Sequence, residues 1–152
     1  MTTDDHADVL GRPPVLYAGS LAISLVLQRV WPADIVDGAS LSWTCIFLPL
    51  PVGLIVWGRR ALLKAGTAVN PAHATSAIVS SGPFRFSRNP LYIGLTLIYL
   101  NLTMIANSWW GLLLLCPLAL LMHFGVVRRE EQYLERKFGD TYRRYRSTAR
   151  RY

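Results

Sequence analysis

Thirty-seven consecutive residues, 91 to 127, contain no Asp, Glu, Lys or Arg. As a single helix rising ~1.5 Å per residue the run would measure about 56 Å, roughly twice a hydrocarbon core. One span cannot absorb that length. Asn107-Ser108 near the middle offers a turn, dividing the run into Leu91 to Ala106 and Trp109 to Val127, a helical hairpin. Residues 14 to 57 repeat the pattern with three charges only, Arg29, Asp34 and Asp37. They divide into Val15 to Val30 and Leu41 to Trp57 around a connector holding Pro32, both aspartates and Gly38. Soluble domains distribute charge over the outer face of every element, at about 25% of residues. This chain has 16%, nearly all of it outside the two apolar blocks.

The reading is an all-α membrane protein with four short transmembrane helices, a cytoplasmic loop and a C-terminal cytoplasmic helix. Trp31, Trp43, Trp57, Trp109 and Trp110 all sit at proposed span ends, where an amphipathic indole prefers the headgroup layer. Residues 58 to 90 carry Arg59, Arg60, Lys64, Arg85 and Arg88 with no acid, and 128 to 152 carry nine bases against four acids. Both segments are expected in the cytoplasm, which makes the chain a multi-pass protein of the cell membrane with both termini inside. The organisation is then an acidic tail 1 to 14, a transmembrane hairpin 15 to 57, a cytoplasmic loop 58 to 90, a second hairpin 91 to 127, and cytoplasmic helices 128 to 152. The start, with Asp4, Asp5 and Asp8, lacks a basic n-region and a cleavage site, so no signal peptide is read.

The net charge of +7 comes from bases flanking the spans, and nucleic acid is not an expected partner. Cys45 and Cys116 stand alone in different spans, as apolar filler, and neither a disulfide framework nor a zinc site is spelled. No GxGxxG, Walker loop or HExxH occurs, so neither a soluble-type nucleotide site nor a metal site is expected. Pro49, Pro51 and Pro117 lie within spans and are expected to bend them.

The chemistry-bearing residues gather in the second half. Residues 66 to 90 are rich in Gly, Ser, Ala and Pro and end in Asn89-Pro90, a preferred cap followed by a preferred first helical residue. The third span should therefore begin there, with free N–H groups suited to an anion. If the fourth span runs on as a helix, Glu130 returns to the face of His123 seven residues earlier. Leu134 and Phe138 continue an apolar stripe, Gly139 reads as a C-cap, and Tyr142 and Tyr145 fall on a next short helix. Tyr92, Asn101, Tyr99 and His123 are the polar residues of the hairpin able to orient a ligand; Tyr92, Asn89 and His123 are the catalytic candidates.

The order Ser81-Gly-Pro-Phe84-Arg-Phe-Ser-Arg88-Asn89-Pro90-Leu91-Tyr92-Ile-Gly94, a hairpin, Glu130-Glu131, then Phe138-Gly139-Asp-Thr-Tyr142-Arg-Arg-Tyr145 resembles the isoprenylcysteine carboxyl methyltransferase and phospholipid methyltransferase family of membrane enzymes. The likeness covers about residues 66 to 147. It implies an S-adenosylmethionine-dependent transfer of a methyl group to a lipophilic acceptor drawn from the bilayer. Family cofactor contacts carry over to Ser76, Ala77, Ile78, Val79, Phe84, Asn89, Pro90, Leu91, Tyr92 and Glu130. Three positions depart from the family pattern: Asn89 stands for a His, Phe84 for a Tyr, and Val126 for an Arg that holds a carboxylate acceptor. The last departure leads to the expectation of an acceptor with a neutral or cationic nucleophile. A nicotinamide-dependent membrane reductase and a non-catalytic membrane adaptor are the competing classes. No motif encodes the oligomeric state.

Overall fold

The computed structural model describes residues 7–37, 39–69 and 74–152. Asp4 and Asp5 of the acidic tail, Gly38 of the first connector and Asn70-Pro71 of the loop lie outside the described residues. The described chain is helical: α1 Pro13–Val30, a 3-10 segment Ser42–Phe47, α2 Pro49–Lys64, a 3-10 turn Gly82–Arg85, α3 Pro90–Ile105, α4 Trp109–Met122, a π turn His123–Val127, α5 Arg128–Phe138 and α6 Asp140–Thr148. Three of these helices start on proline, whose fixed φ suits the first turn and whose missing N–H is no loss there. Pro49 and Pro51 thus begin α2 after a 3-10 approach, where the sequence reading placed them inside a bent span. α2 also runs on to Lys64, into the segment read as loop.

Two continuous helical stretches, Ser42–Lys64 and Trp109–Phe138, are long and apolar enough to cross a membrane, and Pro90–Ile105 is a shorter apolar helix. The distribution of side chains points the same way. Ile23 and Val26 are 55% and 60% exposed on α1, while Ser24 between them is fully buried, as are Thr103 on α3 and Ser108 at the start of α4. Apolar residues outside and small polar residues at helix contacts are the pattern of a bundle solvated by lipid.

The helices do not pair in chain order. α1 packs mainly on α4, and α2 packs on α3, so the first two helices are not the hairpin expected for 15 to 57. The cause is the connector after α1. Trp109 N–H donates to Ala33 O at 2.9 Å and Trp110 Nε1 to Trp31 O at 2.7 Å. Asn107, at φ 49°, accepts from Val36 N–H on Oδ1 and donates from Nδ2 to Val36 O and Ala39 O. These bonds tie the connector to the α3–α4 turn and bring the end of α1 beside the start of α4.

The core is Tyr17, Tyr99, Leu118, Met122 and Val126, drawn from α1, α3, α4 and the π turn. Tyr17 hydroxyl donates to Thr96 Oγ1 at 2.6 Å, which donates on to Tyr92 O. On the other side of α3, Gly94 permits a close approach to α2: a Cβ there would lie 2.5 Å from Ile55 Cγ1 and 3.2 Å from Pro51 O. α3 is thereby held from both sides with its N-terminus at the charged end of the bundle.

Candidate functional site

At that end a cleft forms between Ala68, Val69, Thr75 and residues 77–79, the 3-10 turn, the first turn of α3 and α5. It encloses about 650 Å³ counting its open mouth. Ala77, Ile78, Val79, Phe84, Asn89, Pro90, Leu91, Tyr92 and Glu130 all line it, together with Leu62, Thr75, Arg88, Leu134 and Tyr145. Of the cofactor positions expected from the sequence, Ser76 alone stands back: its N–H donates to Thr67 Oγ1 and its hydroxyl to Gly66 O, folding the segment on itself. Thr75 N–H reaches Tyr133 hydroxyl at 3.3 Å, which fixes this wall to α5. Tyr145, on α6, donates to Phe84 O at 2.8 Å and holds the 3-10 turn from behind.

The two consecutive glutamates of α5 part company. Among the described residues, Glu130 accepts one hydrogen bond, from Tyr92 hydroxyl at 2.8 Å, and faces the cleft. The charge-free part of the Trp109–Phe138 stretch ends at Val127, and Glu130 lies beyond it on the charged end of the helix. Desolvation raises its carboxyl above the ordinary value, the Tyr92 bond works against the rise, and the neighbouring Glu131 adds to it. Glu131 turns away. Arg88 Nη2 approaches it at 2.8 Å and Arg151 Nη2 at 2.7 Å, and the Glu131 and Arg88 side chains are about nine-tenths buried. Burial alone would raise this carboxyl, but hydrogen bonds from Arg151 and Arg88 overcome it and hold it below the usual range. Arg88 also donates to Arg146 O and Ala149 O, joining the loop to α6 and the C-terminal residues. Burial, with Glu131 nearby, pushes the Tyr142 hydroxyl up to about 12, so it stays neutral beside this network.

Three expectations change at this level. The π turn inserts an extra residue per turn between His123 and Glu130, which breaks the seven-residue phase relation of a regular helix. His123 does not line the cleft; its Nδ1 lies 3.1 Å from Tyr152 hydroxyl. Asn89 begins α3 without a side-chain cap: its Nδ2 donates to Arg151 O, and its carbonyl accepts from Tyr92 and Ile93 N–H. Val126 is fully buried in the core, so its apolar character reports packing and not the acceptor. Arg88 and Tyr145 stand within the sequence motifs and Leu134 on the apolar stripe of α5, none of them with a site role in the sequence reading. The docking of 149–152 beside 87–89, where Arg88 N–H donates to Arg150 O at 2.7 Å, had no sequence signal beyond basic charge.

A family model described as phospholipid methyltransferase matches residues 40–141, which take in α2, α3, α4, α5 and every cleft residue named above except Tyr145, and leave out α1. An uncharacterized protein of Haemophilus influenzae is 42% identical over 65 residues, covering 41% of this chain and 98% of that protein. No solved structure matches.

Proposed function

The chain belongs to the phospholipid methyltransferase family of membrane-associated methyltransferases, and from that membership and the Glu130 cleft we propose an S-adenosylmethionine-dependent enzyme that methylates a lipophilic acceptor. The observation that carries the reading is Glu130: a half-buried carboxylate with one hydrogen-bond partner among the described residues, facing a cleft walled by Val79, Phe84, Leu91 and Leu134. A ligand bearing a cation and a hydroxyl pair complements such a group, and its apolar portions complement the walls. The same residues suit a dinucleotide less well. Among the described residues of the lining Arg88 is the one base, and its guanidinium is engaged with Glu131 and two carbonyls rather than free for phosphates.

When bound, the cofactor supplies a methyl carbon on a sulfonium sulfur, which keeps the electron pair of the broken bond as the acceptor's lone pair bonds to the methyl. The chain's part is positioning and exclusion of water. Glu130 holds the hydroxyls and balances positive charge; Tyr92, fixed by its bond to Glu130, orients what lies against it. The first turn of α3, where Leu91 N–H has no hydrogen-bond partner among the described residues, favours a carboxylate. Asn89 cannot titrate and serves the wall, and no side chain is required as a nucleophile.

The membrane arrangement proposed with this function is four spans, α1 to α4, with both termini and the cleft on the cytoplasmic side of the cell membrane. A cysteine replacing Thr75, in a chain whose Cys45 and Cys116 are changed to Ser, should label only from the cytoplasm; labelling from outside refutes the orientation. The function itself is tested by equilibrium binding of labelled S-adenosylmethionine and of NADPH to the purified protein in lipid nanodiscs. Saturable binding of the first and transfer of its methyl label into added lipid extract are expected. Binding of NADPH alone would assign the cleft to a reductase.

A further inference from the structure

A second cavity, sharing no residue with the cleft, opens at the end of α2, between Trp57, Arg60, Ala61 and Lys64 on one side and Ser81 and Gly82 on the other. Counting its open side it encloses about 870 Å³. Gly82, at φ 62°, brings the 3-10 turn close against α2: a Cβ there would lie 3.2 Å from Trp57 Nε1 and 3.4 Å from Ala61 Cβ. Arg60 and Lys64 are exposed and make no hydrogen bond or ion pair among the described residues. No acid lies between 58 and 90 to offset them. Toward the start of α2 the same strip is apolar and open. Leu50, Gly53, Trp57, Arg60 and Lys64 fall within about 80° of one another at 3.6 residues per turn. Leu50 is 73% and Trp57 48% exposed, and a Cβ on Gly53 would meet nothing within 4 Å.

We propose that this cavity seats the headgroup of an anionic phospholipid, with the phosphate held by Arg60 and Lys64 and an acyl chain laid along α2 over Gly53. The site is separate from the cofactor cleft and does not depend on how the cleft is assigned. Arg60 and Lys64, four residues apart, are neighbours on the helix surface, so one phosphodiester can meet both cations. Trp57, one turn further from the charged end, stands at the level an indole prefers, between headgroup and chain. The order along the strip is therefore cation, indole, open apolar face, which is the order of a phospholipid from phosphate to chain. A free phosphate would use the first part only. A zwitterionic headgroup sets its own ammonium against the two bases, and a lipid of net negative charge is selected. Because the lining holds no residue of the cleft, the lipid is a resident ligand and not the methyl acceptor. It touches Ser81 and Gly82, and so braces the turn that carries Phe84 into the cleft wall.

The test titrates the full chain, purified in dodecyl maltoside, with dioleoyl phosphatidylglycerol or dioleoyl phosphatidylcholine and counts bound lipid by native mass spectrometry. One phosphatidylglycerol per chain is expected to bind about tenfold tighter than phosphatidylcholine. Arg60→Gln with Lys64→Gln should abolish that preference. Arg136→Gln with Arg144→Gln, an equal loss of exposed positive charge on α5 and α6, should keep it. Gly53→Leu fills the apolar strip and leaves both cations in place, so it should weaken phosphatidylglycerol binding several fold and gives a second reading should the first variant fail to fold. Sodium phosphate at the lipid's concentration should displace nothing, and Glu130→Ala should bind the lipid as the parent does. Equal binding of the two lipids, a preference that survives the Arg60 and Lys64 substitutions, or one that falls equally in both double variants overturns the proposal. So does unchanged binding in Gly53→Leu, and so does displacement by phosphate, which would make this a free-anion site. Loss of the lipid in Glu130→Ala would place it in the cleft and overturn the proposal while leaving the cofactor reading to its own test.

Discussion

Glu130 and Glu131 are adjacent on α5, yet they belong to two regions built on opposite principles. The Glu131 side is a closed ionic network: Arg88 from the loop and Arg151 from the C-terminal residues converge on one carboxylate, and the group is held ionised. The Glu130 side is open to a cleft, its carboxylate has one neutral partner, and its ionised form is penalised. Both residues are acids in a basic end of the chain, so composition does not separate them. The difference is the number of charges that meet each one, and it divides a group that joins the fold from a group left for a ligand.

The largest expected effect breaks the closed side. Glu131→Gln leaves Arg88 buried without a counter-charge, at a cost of about 3–5 kcal/mol for a broken buried pair, and the thermal midpoint in nanodiscs should fall sharply. Glu130→Gln should leave the midpoint equal or higher, since it removes a desolvated charge. Equal losses in the two variants would erase the distinction. Cofactor affinity is expected to follow the reverse order. Glu130→Ala should weaken S-adenosylmethionine binding about tenfold or more, the loss of a charge-assisted hydrogen bond of about 1.5–3 kcal/mol, whereas Glu135→Ala, whose carboxylate meets Arg143 and Arg146 at the surface, should bind as the parent does.

Acid titration sharpens the comparison through its sign. Glu131 has a folded pKa below its unfolded one, so its stabilisation is complete above the unfolded value and is lost as pH falls through the folded value. Glu130 is shifted upward, so the folded protein takes up that proton first, and its contribution to stability increases as pH falls between its folded and unfolded values. Cofactor binding needs the ionised form and should weaken over that same interval, starting at a higher pH than for an ordinary glutamate. In Glu130→Gln this pH dependence should vanish; its persistence would place the titrating group elsewhere. The smallest effect expected is that of Tyr92→Phe. It removes one hydrogen bond to Glu130 and should reduce affinity by a few fold, with the midpoint falling slightly, by the equivalent of about 0.5–1.5 kcal/mol.

What the sequence made legible was local. The charge-free run, the Asn107-Ser108 turn and the Asn89-Pro90 start of α3 are read from neighbouring residues, and α3, α4 and the turn between them fall where those signals put them. Family spacing brought Ala77 to Val79, Phe84, Asn89 to Tyr92 and Glu130 into one cleft. Non-local contacts were not legible. Pairing of α1 with α4 depends on backbone bonds between the connector and Asn107, which leave no periodic trace. The π turn cannot be told from a regular helix by hydropathy, so the His123 to Glu130 phase was misjudged. The network around Glu131 depends on Arg151, in a segment where every third residue or so is basic and none stands out.

The interleaved packing has a consequence for how the protein is made. Tyr17 meets Thr96, Ser20 meets Tyr99 and Trp31 meets Trp110, each pair 79 residues apart in the chain. At about 5–20 residues per second, roughly 4–16 seconds of synthesis separate the emergence of α1 from that of its partners. During that interval α1 waits beside the ribosome with Ser20, Ser24 and Tyr17 unmated, and α2 must wait for α3 as well. α2 can pair as soon as α3 has emerged, whereas α1 must wait for α4, so a slow codon cluster or a premature stop between α3 and α4 would leave α1 without its main partner.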